Sequence, residues 1–238
     1  ARVTQNLFEQ SYIGGIFTDG NPALGAEGQT YGVDARLATS DFLGTDKNFV
    51  VNAYGTRSDN GDSSDNDKSY GVSAHYPNDS YVGELVYRVI EENFDPALGF
   101  VQRNNVRMYR AGASYNPRPK SLWGIQQMFH DIFYTQFERL DNGHIESTEL
   151  HITPLDYHFQ SGDSIHALFD YDRTYERLFE PFQISPGVIL QPGAYHNNRF
   201  KTTIASARKR RVTAFINASY GDFWSGTAEQ ISTTVTYK

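Results

Sequence analysis

The chain contains no cysteine, which excludes disulfides, thiol catalysis and thiolate-bound metals. An envelope protein is permitted by that absence but not required by it. No apolar run approaches the roughly eighteen residues that a membrane-crossing helix needs, so helical spanning is excluded. Basic residues are in deficit: 21 Lys and Arg face 28 Asp and Glu, for a net charge of -7, a balance that argues against nucleic acid as partner. Catalytic signatures are missing too. There is no Gly-x-Ser-x-Gly elbow, no Walker loop and no His-Glu-x-x-His. The opening residues Ala1, Arg2, Val3 and Thr4 form no signal peptide. An exported protein would therefore have lost its signal, or the chain is cut from a longer one.

What is present is an alternation with period two. Tyr31, Val33, Ala35 and Leu37 are interleaved with Gly32, Asp34 and Arg36. The same pattern recurs over 70–76, 212–220 and 231–237. Successive side chains of a strand point to opposite faces, so each segment is a strand with one apolar and one polar side. Tyr and Phe number 16 each against two Met, a composition that favours strands. A mean hydropathy of -0.55 would by itself point to a soluble protein. That inference fails for β-barrels, where only alternate residues need face lipid.

Alternation and turn residues predict about twelve strands, at 11–18, 29–40, 48–57, 68–76, 80–90, 105–115, 122–137, 145–159, 164–175, 195–206, 212–220 and 227–238. No helix competes; 205–212 is too short and too charged. Compact connections (41–47, 77–79, 116–120, 161–163, 207–211) alternate with a second set, mostly longer (19–28, 58–67, 91–104, 141–143, 176–194, 221–226). An up-and-down membrane barrel sorts its loops in this way, with tight turns on the periplasmic side. By that count both chain ends lie on the tight-turn side. Tyr70 and Tyr76 bracket one strand, Tyr81 and Tyr87 the next, and Tyr31, Tyr115, Tyr220 and Tyr237 fall near strand ends. Such spacing matches aromatic girdles on either side of an apolar band. The plainer reading is that Tyr suits strands. The seventh strand has large apolar groups on both faces and Asp131 among phenylalanines. Either a register-resetting bulge or a plug or partner packed inside the barrel accounts for it.

The stretch Glu91-Glu92-Asn93-Phe94-Asp95-Pro96-Ala97-Leu98-Gly99-Phe100-Val101-Gln102-Arg103 resembles one found in large bacterial envelope proteins. These carry an amino-terminal carbohydrate-binding-like β-sandwich and a carboxy-terminal β-barrel domain of unknown function. Weaker echoes are Ser11 to Thr18, Gln29 to Asp34, and Tyr115-Asn-Pro-Arg-Pro119. The resemblance implies the barrel domain, a bacterial outer-membrane location and no agreed activity. Two departures stand out: the sandwich is absent, and the chain ends in Tyr237 and Lys238 rather than a terminal aromatic. Both imply residues missing on each side and a strand number larger than the visible one.

Several constellations invite chemistry. Asp59, Asp62, Asp65 and Asp67 supply oxygens suited to Ca²⁺, but without EF-hand spacing, and a solvated loop explains them as well. Arg208 to Arg211 is a basic turn that suits anionic head groups, or simply keeps strand edges soluble. The carboxylate pairs Glu91/Glu92, Asp170/Asp172 and Glu176/Glu180 invite a glycosidase reading, yet such spacing within one strand is cheap. His144, His151, His158 and His166 are too scattered to specify a metal site. Asp34, Arg36, His75, Glu84, Arg88, Asp170, Asp172 and Asn217 lie opposite apolar faces, which suits a polar lumen.

The expectation is therefore a single all-β domain, an antiparallel up-and-down transmembrane β-barrel, without cofactor, catalytic residue or metal. Its partners would be membrane lipid and other envelope proteins, with no nucleic acid. It would pass or dock a hydrophilic solute, a carbohydrate if the resemblance is followed. The rivals are a secreted β-sandwich holding glycans on Trp123 and Trp224, a hydrolase built on the Asp170/Asp172 face, and a barrel that only anchors envelope proteins.

Overall fold

The computed structural model describes residues 1–20, 28–61 and 65–238. The protein is all-β, with fifteen strands and a single 3₁₀ turn at Phe42–Gly44 among the described residues. Thirteen strands follow one another in chain order in one large antiparallel sheet, and two short strands, Phe182–Ser185 and Val188–Leu190, pair apart as a small hairpin. Two compact units divide the chain: Ala1–Asn78 with Gly83–Ala111 and Phe137–His144, and Asp79–Val82 with Gly112–Gln136 and Ile145–Lys238. Most of the expected 19–28 loop and Asp62 lie outside the described residues.

Each of the twelve expected segments contains a strand. They are β2 (Ser11–Asp19), β3 (Gln29–Thr39), β4 (Phe49–Asp59), β5 (Lys68–Pro77), β6 (Tyr81–Ile90), β7 (Val106–Tyr115), β8 (Ile125–Arg139), β9 (Ile145–Phe159), β10 (Ser164–Leu178), β13 (Gly193–Ala205), β14 (Val212–Phe223) and β15 (Gly226–Tyr237). Three strands are additional: β1 (Arg2–Leu7), β11 (Phe182–Ser185) and β12 (Val188–Leu190). The first corrects one expectation. Because β1 pairs antiparallel with β2, Ala1 accepts a 2.9 Å bond from the Phe17 N–H, at the end of β2 that leads into 20–28. The amino terminus thus lies beside a long connection, not a tight turn.

In the first unit the register aligns side chains into two contrasting faces. Gly15, Val33, Gly55 and Tyr70 share one row across β2 to β5; Ile13, Ala35, Ala53 and Val72 share the next. The opposite face carries Gly14, Asp34, Tyr54 and Gly71, then Tyr12, Arg36, Asn52 and Ser73. The apolar face is the open one: Ile13, Val33, Leu37, Tyr70 and Val72 are all exposed. The buried residues are mostly polar, Ser11, Ser58, Asp67 and Ser69 among them. This inverts the ordinary arrangement, in which large apolar side chains fill the interior.

The second unit repeats the inversion. Ile204, Ile216 and Thr233 form one row, and Phe200, Tyr220 and Glu229 another. Behind them run Thr203, Asn217 and Ser232, and Lys201, Ser219 and Gln230. The ladder is broken at one place. Between His166 and Asp170 the pairing of β10 with β13 shifts, and between Ile165 and Leu168 so does its pairing with β9. Phe169, with φ of 58°, projects exposed from this bulge. A bulge of the kind expected for β8 is thus present in β10. Trp123 precedes β8 in a turn, with φ of 46°.

Glycine marks which way the strands crowd. A Cβ added to Gly32 would come within 2.7 Å of the Gly55 carbonyl oxygen, and at Gly221 (φ 147°) within 2.1 Å of the Asn198 carbonyl oxygen. Both lie on the polar face, opposite Thr56 and Arg199 in register. On the apolar face a Cβ at Gly55 would meet nothing within 4 Å. Tight turns complete the connections. Between β9 and β10, Gly162 (φ 88°) turns the chain. There the Ser161 hydroxyl, the Ala207 N–H and Arg210 hold the Asp163 carboxyl below the usual carboxylate range.

Candidate functional site

The functional candidate is the polar face, described unit by unit. In the first unit, Arg2 donates to Asp34 at 2.9 Å, Asn52 donates to Ser73 at 3.3 Å, and His75 lies 2.9 Å from the Ser73 hydroxyl and 3.9 Å from Glu84. Arg110 completes an ion pair with Glu84. Charges of opposite sign therefore meet across strands, where each pair steadies the sheet. Arg36 and Arg88 carry no hydrogen bond or ion pair among the described residues, and Arg88 is exposed.

At one end of this unit the 91–104 segment is hydrogen-bonded to Asn60, Asp65 and Asn66. A largely polar cavity of about 530 Å³ lies there, lined by Ser58, Asn60, Glu92, Asn93, Asp95 and Asn104 together with Phe94 and Phe100. Its walls are fixed by Asn60 donating to the Asp95 carbonyl at 2.9 Å, Asn93 to Asp65 at 2.7 Å and Asn104 to Glu92 at 2.8 Å. Phe94 is the buried anchor, while Phe100 is exposed. Among the described residues, the calcium candidates Asp59, Asp65 and Asp67 form no common cluster. Asp67 accepts from Arg57 at 2.7 Å and Asp59 from the Gly61 N–H at 3.1 Å, so the first is already neutralised by a guanidinium. The fourth candidate, Asp62, lies outside the described residues.

In the second unit the polar face holds two histidine–aspartate clusters, one on either side of the β10 bulge. His151, Asp170 and Asp172 form the first. His151 Nδ1 lies 2.6 Å from Asp172, Thr153 donates to Asp170 at 2.6 Å, and Lys201 pairs with the far oxygen of Asp172. Both carboxylates are buried, and each of these partners comes from a neighbouring strand. This is a closed ion-pair network that ties β9, β10 and β13 together. It uses the two carboxylates that a hydrolase would need.

Asp156, His158 and His166 form the second cluster. His158 Nε2 lies 3.1 Å from Asp156 Oδ1, and His166 Nδ1 lies 3.3 Å from Oδ2. Although His158 is close, Asp156 Oδ1 is buried without a hydrogen-bond partner.

Lys201→Met is expected to lower stability by about 1–2 kcal/mol, because it leaves Asp172 leaning on His151 alone. Losing one partner of a fully buried pair would cost about 3–5 kcal/mol. The Lys201 side chain is 42% exposed, which reduces the value through screening. Denaturant titration of the Lys201→Met and Asp172→Leu single and double variants checks this. The double variant should recover most of the loss; additive losses would contradict the coupling.

The remaining expected residues fall as follows. Asn217 donates to Thr203 at 3.0 Å on the polar face. Tyr31, Tyr70, Tyr81, Tyr220 and Tyr237 are exposed, whereas Tyr76 packs near Phe42 and Tyr87 against Tyr109. Trp123 is exposed in the turn beside the β9–β10 connection, where the Gly124 carbonyl accepts from Gln160. Trp224 packs on Phe182 and Tyr195 near the other end of the strands. The two tryptophans therefore form no common platform. Arg210 of the basic turn is engaged with Asp163.

Comparison with protein-family models, curated proteins and solved structures finds no match. Function must therefore be read from the geometry of the chain itself. Counting along one strand misses both histidine clusters, because each is assembled across strands and the bulge between them brings His151 and His158 to one face. His166 and Asp170 keep one parity but are separated by an irregular 167–169. His151 and His158 differ in parity, yet both reach the polar side. The one signal in the sequence is Pro154 in β9, which lies near the Phe169 region of β10, since proline within a strand marks an irregular position.

Proposed function

We propose that the protein is a transmembrane β-barrel of a bacterial outer membrane that passes or docks a hydrophilic solute. The observation that carries this reading is the match between polarity and curvature. On the polar face, Cβ atoms at Gly32, Gly71 and Gly221 would strike neighbouring backbone, whereas on the apolar face Gly55 and Gly83 have room. Crowding on one side and space on the other mean that each meander bends towards its polar face. A soluble sandwich would do the opposite and wrap its apolar faces around a core. A bilayer-spanning barrel needs an apolar outside and a polar lumen. The alternating connection lengths and the exposed tyrosines near strand ends fit the same reading.

The solute class follows from the lumen lining, which is hydroxyl, amide and mixed-sign charge, and from the polar cavity at 91–104. Most of its lining, from Glu92 to Val101, belongs to the stretch that resembles envelope proteins with a carbohydrate-binding-like module, so a carbohydrate is the natural candidate. A second role, anchoring other envelope proteins, draws on the cross-strand pairing of Arg2 with Asp34, Arg110 with Glu84 and Lys201 with Asp172. Salt bridges of this kind fill a lumen as readily as they line one.

The test is gel filtration with and without detergent. The protein is expected to run as a monodisperse species only in detergent or lipid, because the exposed Val33, Leu37, Val72, Ile216 and Ile231 faces have no other cover. A sharp monomer in plain buffer would overturn the membrane reading. In planar bilayers, conductance supports passage; assembly without conductance supports docking or anchoring.

A further inference from the structure

We infer that Asp156, His158 and His166 form a binding site for a transition-metal dication of the Zn²⁺ type. The site stands on one hairpin of the second unit and does not depend on the membrane reading. In the antiparallel register His158 faces Ser164 and Tyr157 faces Ile165, which sets Asp156 opposite His166. All three then share the polar face, where His166 in turn lies beside Thr203 of β13. The bulge begins immediately after His166, so the three positions end the regular part of the ladder.

Their ligand atoms all lie within 4.8 Å of one another. Bonds of about 2.0–2.1 Å to Zn²⁺ would hold tetrahedral donors about 3.4 Å apart; Asp156 already lies 3.1 Å from one ring through Oδ1 and 3.3 Å from the other through Oδ2, so a small inward shift of the donors closes the site. The rings stand edge to face, with centroids 4.6 Å apart and planes at 85°. His158 is backed by Phe129 at 5.0 Å.

Charge compensation favours the same conclusion. Three other carboxylates of the polar faces are met by a permanent cation, Asp34 by Arg2, Glu84 by Arg110 and Asp172 by Lys201, and the buried Asp170 accepts from Thr153. Asp156 has no Lys or Arg partner among the described residues, and its buried Oδ1 accepts no hydrogen bond. A buried carboxylate oxygen without a donor is costly. A dication held between Asp156 and the two imidazoles supplies what is missing. Two nitrogens and one carboxylate suit Zn²⁺, Ni²⁺ or Cu²⁺ and not Ca²⁺ or Mg²⁺, which prefer all-oxygen sets. The histidine side chains are each more than a third exposed, so three protein ligands leave at least one position open to water or to a donor atom of a passing solute. The His151 cluster differs in this respect, since Lys201 already occupies the place of a metal.

The experiment uses the folded full chain in detergent or lipid, stripped with chelator and titrated with Zn²⁺ alone by calorimetry. Co²⁺ is substituted in parallel to read coordination from its visible spectrum. One equivalent of Zn²⁺ is expected to bind, with affinity lowered at least tenfold in each of Asp156→Asn, His158→Gln and His166→Gln. His144→Gln, in the β8–β9 turn, should leave binding unchanged. Co²⁺ should give nitrogen-ligated bands that the His166→Gln variant lacks. No saturable binding to the folded wild-type chain overturns the proposal, whatever the variants do. So does binding that survives all three substitutions, or that is lost on His151→Gln but kept in the other three.

Discussion

Val72→Arg and Ile216→Arg are each expected to block assembly into lipid vesicles, while Asp34→Asn and Glu84→Gln assemble normally. Val72 sits in the row of Ile13, Ala35 and Ala53, between Tyr70 and Tyr76 along its own strand. Ile216 sits between Ile204 and Thr233. Both lie well inside their strands and both are exposed, at 47% and 39%. In a bilayer an arginine there costs about 2–4 kcal/mol near the midplane, which is roughly a 30- to 700-fold drop in the folding equilibrium constant. If these faces met water, the same substitutions at exposed positions would change stability by no more than about 0.5 kcal/mol. The size of the effect thus separates lipid from solvent. Asp34 and Glu84 face partners on the other side of the sheet, so replacing them with amides of the same shape keeps a polar group in a polar place. Folding yield in vesicles, read by protease protection and gel mobility, makes the comparison. Equal tolerance of all four would contradict the assignment of faces and with it the barrel.

The strands and their faces are legible because period-two alternation needs no knowledge of long-range contacts. Tyr70, Val72 and Ala74 carry the face assignment in their own order. The three additional strands lack this cue. In β1 only Val3 and Leu7 are apolar, and its place beside β2 is fixed by backbone pairing across the turn that follows it. β11 and β12 are four and three residues long, too short for alternation to register. The site is less legible than the fold. Asp34, Glu84, Asp172 and Asn217 are recognisable as polar-face residues one strand at a time. Which groups meet across strands is decided by register, and register in β9 and β10 is reset by the bulge at 167–169. His158 and His166 meet Asp156 by ordinary pairing within one hairpin, ahead of the bulge, and such pairing is a cross-strand property that no single strand announces. The acidic run at 59–67, oxygen-rich enough to suggest calcium, illustrates the converse. Its spacing along the chain is suggestive, but Arg57 reaches Asp67 from the neighbouring strand.

Gly221→Ala is expected to cost on the order of 3–5 kcal/mol, while Gly55→Ala is neutral or gains about 0.5 kcal/mol. An alanine Cβ at 221 would stand 2.1 Å from the Asn198 carbonyl oxygen and 2.7 Å from the Arg199 Cα, on a backbone with φ of 147°. The contact is with backbone, so no side-chain rotation can relieve it, and the strand must separate from β13 or change its dihedral angles. Either response carries the penalty of a strained backbone added to that of an overfilled contact. Gly71→Ala, 2.7 Å from the Tyr87 carbonyl oxygen, should behave like Gly221→Ala in milder form, since its φ is ordinary. At Gly55 a Cβ meets open space, and alanine restricts the unfolded chain more than glycine does. The pairing of these variants measures curvature. If each meander bends towards its polar face, added methyl groups are tolerated on the convex apolar side and rejected on the concave polar side. Denaturant unfolding in detergent or lipid reads both. A flat sheet would accept alanine on either face alike. Equal small effects at 55, 71 and 221 would therefore remove the curvature that joins the polar faces to the interior of a barrel, and the channel reading would lose its main support even if the protein proved to need detergent.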